Sequence, residues 1–97
     1  MPSVIFSPAA RAEAHEAFDW YETRAVGLGN RFVAELDAIA EQIAANPMMF
    51  PIVFKDLRRA RLRRFPYGLY FRLEDEAIYV IACFHGSRDP RRWQART

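Results

Sequence analysis

The spacing of apolar residues changes period once along this chain, from a helical repeat to an alternation of two, and that single switch limits the folds open to it. Ala10, Ala14, Ala17, Phe18, Tyr21 and Ala25 recur at helical spacing, with Arg11, Glu13, Glu16, Asp19 and Glu22 on the other side. Ser7-Pro8 ahead of them supplies an N-cap and a proline for the first helical position, and Ser3 to Phe6 before it reads as a short strand. Gly27-Leu28-Gly29-Asn30 breaks the first helix. Phe32, Leu36, Ile39 and Ile43 then repeat at helical intervals, and the second helix ends at Asn46-Pro47. So short a link predicts a helical hairpin with an acidic outer face.

From Arg58 the period is two. Ala60 and Leu62 point one way and Arg59, Arg61 and Arg63 the other, which predicts a strand with a core face and a basic face. Between the helices and this strand, the segment from Asn46 to Pro51 holds two prolines and reads as an ordered loop with apolar side chains to bury. Phe65-Pro66-Tyr67-Gly68 makes a turn, Leu69, Phe71 and Leu73 alternate with Tyr70 and Arg72, and Glu74-Asp75-Glu76 turns again. Ile78 to Phe84 is apolar on both faces, the pattern of a strand inside a sheet. The predicted order is β-α-α-β-β-β, an α+β fold with a helical hairpin packed on a largely antiparallel sheet, in one domain spanning residues 1–97.

Composition then removes several functions. The longest apolar run is far short of the ~20 residues that cross a bilayer, and no basic segment leads a long apolar one at the start, so the chain is expected to be cytoplasmic and away from membranes. His15, His85 and Cys83 are the only soft ligands and no two have ligand spacing, so no metal site is expected. Neither a P-loop nor a dinucleotide fingerprint is present, so no cofactor is expected either. Gly86-Ser87-Arg88-Asp89 lacks the nucleophile-elbow pattern that a serine triad with His85 would need.

Charge is the informative quantity. The net charge of +2 hides an uneven split: residues 1–50 hold 3 Arg and 7 Asp/Glu, and residues 51–97 hold 11 Lys/Arg and 5 Asp/Glu. All the cations except Lys55 are arginines, which suit bidentate contacts with carboxylate or phosphate. Arg59, Arg61 and Arg63 on one strand face repel one another unless an anion lies among them. Two readings stay open: an anionic partner, or pairing within the chain to Asp56, Glu74 or Asp75. A second cluster is His85 with Arg88, Arg91 and Arg92, near Tyr70 and Tyr79 if their faces coincide; a metal-free ribonuclease would use such a histidine as acid/base and such arginines on phosphate. The plainer reading makes His85 a structural hydrogen-bond partner. Trp93 is expected to pin the polar tail to the body, and Trp20, at the edge of the first helix's apolar face, to meet a partner.

Several segments resemble a known family in order and spacing. They are the opening strand into Ser7-Pro8-Ala9-Ala10, then Trp20-Tyr21-Glu22, Leu28-Gly29-Asn30-Arg31-Phe32, Asn46-Pro47 with Phe50-Pro51, Arg64-Phe65-Pro66-Tyr67 followed by Tyr70, and His85-Gly86-Ser87-Arg88-Asp89-Pro90 with Trp93. Together they resemble the RelE/ParE toxin superfamily of type II toxin–antitoxin systems, and within it the ParE-type, plasmid-stabilisation branch. The resemblance implies a small α+β toxin neutralised by a cognate, ParD-like antitoxin with an acidic amphipathic C-terminal segment. It also implies growth arrest through inhibition of DNA gyrase. The alternative it carries is the RelE-like one, an endoribonuclease cutting mRNA on the ribosome, although the tail from Arg91 to Thr97 lacks the tyrosine common there. A toxin fold that survives only as an inactive binding partner is the third. On these readings the candidate catalytic residues are His85, Arg88, Arg61 and Arg63, and the candidate antitoxin contacts are Arg59, Arg61, Arg63 and Trp20. The family also allows a homodimer, which no feature of this sequence selects.

Overall fold

A computed structural model describes residues 2–97. Its order is β1 (Ser3–Phe6), α1 (Pro8–Arg24), α2 (Leu28–Ala45), a 3-10 turn (Pro47–Met49), β2 (Ile52–Phe54), β3 (Leu57–Arg61), β4 (Tyr67–Glu74), β5 (Ala77–His85) and α3 (Arg91–Gln94). The strands form one sheet in the order β1-β5-β4-β3-β2. Only the β1–β5 pair is parallel. The α+β hairpin-on-sheet architecture is as read from the period switch, with three short elements added. β2 has three residues, too few to show an alternation, and Lys55 closes its hairpin at a φ of 52°. Met48 and Met49, expected to be buried, are 64% and 57% exposed; of that loop Phe50 reaches the core, edge-on to Phe71 with centroids 6.0 Å apart.

Each boundary has a local cause. Ser7 Oγ accepts the Ala10 N–H at 3.0 Å and Pro8 opens α1, as the cap signature required. Ala10, Ala17 and Tyr21 are the buried positions of α1, and small side chains let it lie close to the sheet. Gly29, Phe32, Leu36, Ile39 and Ile43 form the buried stripe of α2. Gly27 takes a φ of 87° at the link. The Glu22 carboxylate then accepts the N–H groups of Gly27 and Gly29, both at 2.9 Å, so α1 itself caps the start of α2.

The acidic outer face is therefore less acidic than predicted. Glu13 accepts the Cys83 N–H at 3.0 Å and pairs with Arg96 at 2.7 Å. Glu35 accepts the N–H groups of both Arg63 and Arg64 through Oε1. With Glu22, three carboxylates from the helical hairpin hold main-chain donors of the link, the sheet and the β3–β4 turn.

The sheet buries both faces unequally. Its helix face carries the main core, where Tyr21, Phe32, Phe65 and Tyr67 meet edge-on or tilted with centroids 4.7 to 6.1 Å apart. The opposite face holds a smaller cluster of Leu57, Tyr70, Ile81, Ala82, Phe84 and Trp93. Trp93 stacks on Tyr70 at 4.2 Å and meets Phe54 at 5.9 Å, which pins the tail where the sequence suggested.

One irregularity matters for the site. Tyr70 pairs with Ala82 and Phe71 with Val80, so Ile81 is an extra residue in β5, a bulge. β1 accompanies β5 only as far as Val80, beyond which the chain enters α1. The Ile81 carbonyl there accepts from Arg96 Nη1 at 2.9 Å, with Ser7 Oγ at 3.4 Å. Side chains thus satisfy the edge that β1 abandons.

Candidate functional site

Strand register builds the basic face. Arg59, Tyr70 and Ala82 form one row, and Arg61, Gly68 and Phe84 the next, on the sheet face away from the helices. A Cβ on Gly68 would lie 3.3 Å from Arg59 Cγ, so the bare glycine lets the arginine stem lie flat across β4. β3 ends at Arg61, and Arg63 lies in the turn that Glu35 holds, so the three-arginine stripe of the sequence reading is a pair plus a turn residue. Arg58, which the sequence reading passed over, turns away and donates to the Phe50 carbonyl at 2.6 Å. Pairing with Asp56, Glu74 or Asp75 is not what the structure has: the ion pairs among the described residues are Arg91–Asp89 and Arg96–Glu13.

His85 ends β5 opposite Tyr67, ring against edge at 5.2 Å. Its Nδ1 accepts the Ser87 N–H at 3.1 Å and the Ser87 hydroxyl at 2.8 Å. A main-chain N–H can only donate, so Nδ1 carries the lone pair and the ring proton sits on Nε2. The faces of His85 and the two tyrosines do not coincide. The bulge at Ile81 leaves His85 on the side of Tyr67 and Cys83, while Tyr70 and Tyr79 lie on the open face. The arginines after His85 scatter too. Arg91 chelates Asp89 and holds its carboxyl below the ordinary range; Arg92 lies 5.8 Å over the Phe84 ring; Arg88 alone stays beside His85.

Two hollows meet at His85. One, of about 560 Å³, lies between α1 and the end of β5, bounded by Glu16, Trp20 and Tyr21 on the helix and by Tyr67, His85 and Arg88 opposite. Burial pushes the Tyr67 phenol up, with Arg88 opposing and Cys83, Glu16 and Glu13 reinforcing the rise. The other, of about 350 Å³, lies on the open face between Arg59, Arg61, Tyr70 and the Gly86-Ser87 loop. Trp20 stands at the mouth of the first, 53% exposed, edge-on to Tyr21 at 5.1 Å and with the Arg24 guanidinium 4.1 Å over its ring. Glu13, absent from the sequence reading of the site, also lines it and is held there by Arg96; 83 positions apart, the two gave no local signal. Among the described residues no group of three His, Cys, Asp or Glu could hold a metal ion, and no helix is long and apolar enough to cross a membrane.

The chain is similar to known proteins in sequence and in fold. Residues 4–90 match the family model described as the ParE toxin of type II toxin-antitoxin system, parDE. The chain is 37% identical over 84 residues to Toxin ParE2 of Mycobacterium tuberculosis, from two strains alike, covering 82% of this chain and 77% of the relative. Among solved structures, a chain of the chromosomal ParDE TA system from P. aeruginosa superposes with a TM-score of 0.66 at 20% identity, covering 88% of this chain and 96% of that one, a likeness of fold.

Proposed function

The chain belongs to the ParE toxin family of type II toxin–antitoxin systems, and from that premise we propose that it arrests growth in the cytoplasm by binding and inhibiting DNA gyrase, with no bond-making chemistry of its own. The family match carries the reading. The geometry of His85 adds its direction. A ribonuclease would need an acid/base pair around the scissile phosphate, yet His85 and Tyr70 stand on opposite faces of the sheet, with Tyr70 stacked under Trp93. The cognate antitoxin then meets Arg59 and Arg61, with the turn residue Arg63 and with Trp20, surfaces that offer unpaired cations and an exposed aromatic anchor.

Pulse-labelling after induction without antitoxin tests the target. Early loss of thymidine incorporation with methionine incorporation intact is the expected result, together with inhibition of supercoiling by purified gyrase at micromolar toxin. Early loss of translation would overturn it and bring Arg61, Arg63, His85 and Arg88 forward as a ribonuclease site. A His85→Ala variant that folds should keep its toxicity.

A further inference from the structure

The helical hairpin carries a hollow of about 390 Å³ that shares no residue with the two that meet at His85. Its apolar lining includes Phe6, Phe18, Val33 and Leu36, with Val33 36% exposed. Its two sides carry opposite charge. Arg11 and His15 stand on α1 and Asp37 on α2; all three are exposed, and neither Arg11 nor Asp37 is in an ion pair among the described residues. The close approach of Gly29 to Phe18 and Glu22 fixes the register of the antiparallel helices, and counting along both from there sets Asp37 opposite the turn from Arg11 to His15. A free cation and a free anion thus stand at one level on either side of an apolar strip.

We infer that this face binds a second copy of the chain, hairpin against hairpin, in a dimer whose two-fold axis runs along the strip. Rotation about that axis lays α1 of one copy over α2 of the other. Arg11 then meets the partner's Asp37, and Asp37 the partner's Arg11, while Phe18 and Val33 close the apolar strip between them. Self-complementarity selects the occupant: a second copy answers both charged sides at once, whereas a segment acidic throughout would meet Asp37 with like charge. Helices of 17 and 18 residues are about 25 Å long and, side by side, about 20 Å across, so the paired faces cover about 500 Å² per copy, the low end of specific interfaces. A dimer of that size forms at about micromolar concentration. Arg59 and Arg61 lie across the sheet and Trp20 lines the other hollow, so the dimer leaves the antitoxin contacts proposed above uncovered.

The test is a charge swap read by sedimentation equilibrium of the antitoxin-free full chain. The parent should pass from monomer to dimer between about 1 and 100 µM. Arg11→Asp and Asp37→Arg should each raise the dissociation constant about tenfold or more. An equimolar mixture of the two variants should dimerise again in the parent's range, because each charged side then faces its opposite; a merely structural role for either residue would give no such recovery. Val33→Asp should abolish the dimer. A parent that stays monomeric throughout, single variants that dimerise like the parent, or a mixture that fails to recover would each overturn the inference. So would a monomeric parent whose Val33→Asp variant loses affinity for the antitoxin, since the groove would then belong to that partner. Arg11, Val33 and Asp37 are exposed, so these variants should fold, and unchanged thermal unfolding verifies it.

Discussion

Gly29→Ala probes the closest approach between the two helices. A Cβ at this position would lie 2.8 Å from the Phe18 carbonyl oxygen, 2.9 Å from Glu22 Oε1 and 2.9 Å from Phe18 Cδ1. Two of those neighbours are not free to yield. The Phe18 carbonyl is main chain of α1, and the Glu22 carboxylate is committed to the N–H groups of Gly27 and Gly29. Forcing a methyl group into a packed contact costs about 1–3 kcal/mol. Displacing the carboxylate from two buried-side donors adds about 1–3 kcal/mol. Against this, alanine gains at most ~1 kcal/mol over glycine in a helix interior, and less in the first turn, where Gly29 lies. The net expectation is a loss of about 2–4 kcal/mol, which for a chain of this size lowers Tm by roughly 8–30 °C. Urea unfolding followed by circular dichroism measures it. The cycle with Glu22→Ala sharpens the reasoning: if both changes act on the same cap, the double variant should lose less than the two single losses together. A Gly29→Ala protein as stable as the parent, or additive losses, would show that the helices are not held together here as described.

Leu36→Ala should cost about 2–5 kcal/mol, because Leu36 lies on the buried stripe of α2; a loss under about 1 kcal/mol would mean that this face does not meet the core. Trp93→Ala should cost about 3–5 kcal/mol and abolish near-ultraviolet ellipticity from the Tyr70 stack, and a small loss would show that the tail is not anchored by it. Stability should also fall in alkali. Burial, reinforced by Glu13, pushes the Cys83 thiol up to about 12, so the folded state keeps a proton that the unfolded state gives up, and the contribution present below about pH 8.5 is lost as pH rises toward 12. Tyr21 and Tyr67, raised by burial, act with the same sign but only from about pH 10. Between these limits the slope belongs to Cys83: by pH 10 the urea midpoint should reflect a loss of about 1–2 kcal/mol, and Cys83→Ala should flatten it. An identical slope in that variant would refute the assignment.

What the sequence displayed was whatever repeats locally. The stripes of α1 and α2, the Ser7-Pro8 cap and the interior strand β5 were legible because each is written in residues a few positions apart. The strand β2, three residues long, has no period to read. Glu13 and Glu22 read as residues of the outer face, since a carboxylate opposite an apolar stripe looks the same in sequence whether it meets water or, like Glu13, a main-chain N–H seventy positions away. Their partners exist only once the fold exists.

The bulge at Ile81 was the most consequential feature to be hidden, because one extra residue changes which side chains share a face. Counted straight through, alternation from Tyr79 would carry Ile81, Cys83 and His85 onto the open face with Tyr79, close to Arg59, Arg61 and Tyr70, and a phosphate-cleaving cluster would follow. With Ile81 inserted, Ala82 and Phe84 take that face and His85 joins Tyr67 on the other. The bulge falls where β1 ends. Once the chain leaves the sheet after Phe6 to begin α1, the β5 edge beyond Val80 has no strand beside it, and Ser7, Glu13 and Arg96 satisfy it instead. The abandoned edge is what opens the hollow between α1 and β5, and the displaced His85 is where that hollow meets the arginine face. The extra residue thereby parts the groups that a phosphate-cleaving cluster would bring together, leaving His85 beside Tyr67 and Tyr70 under Trp93 on the opposite face.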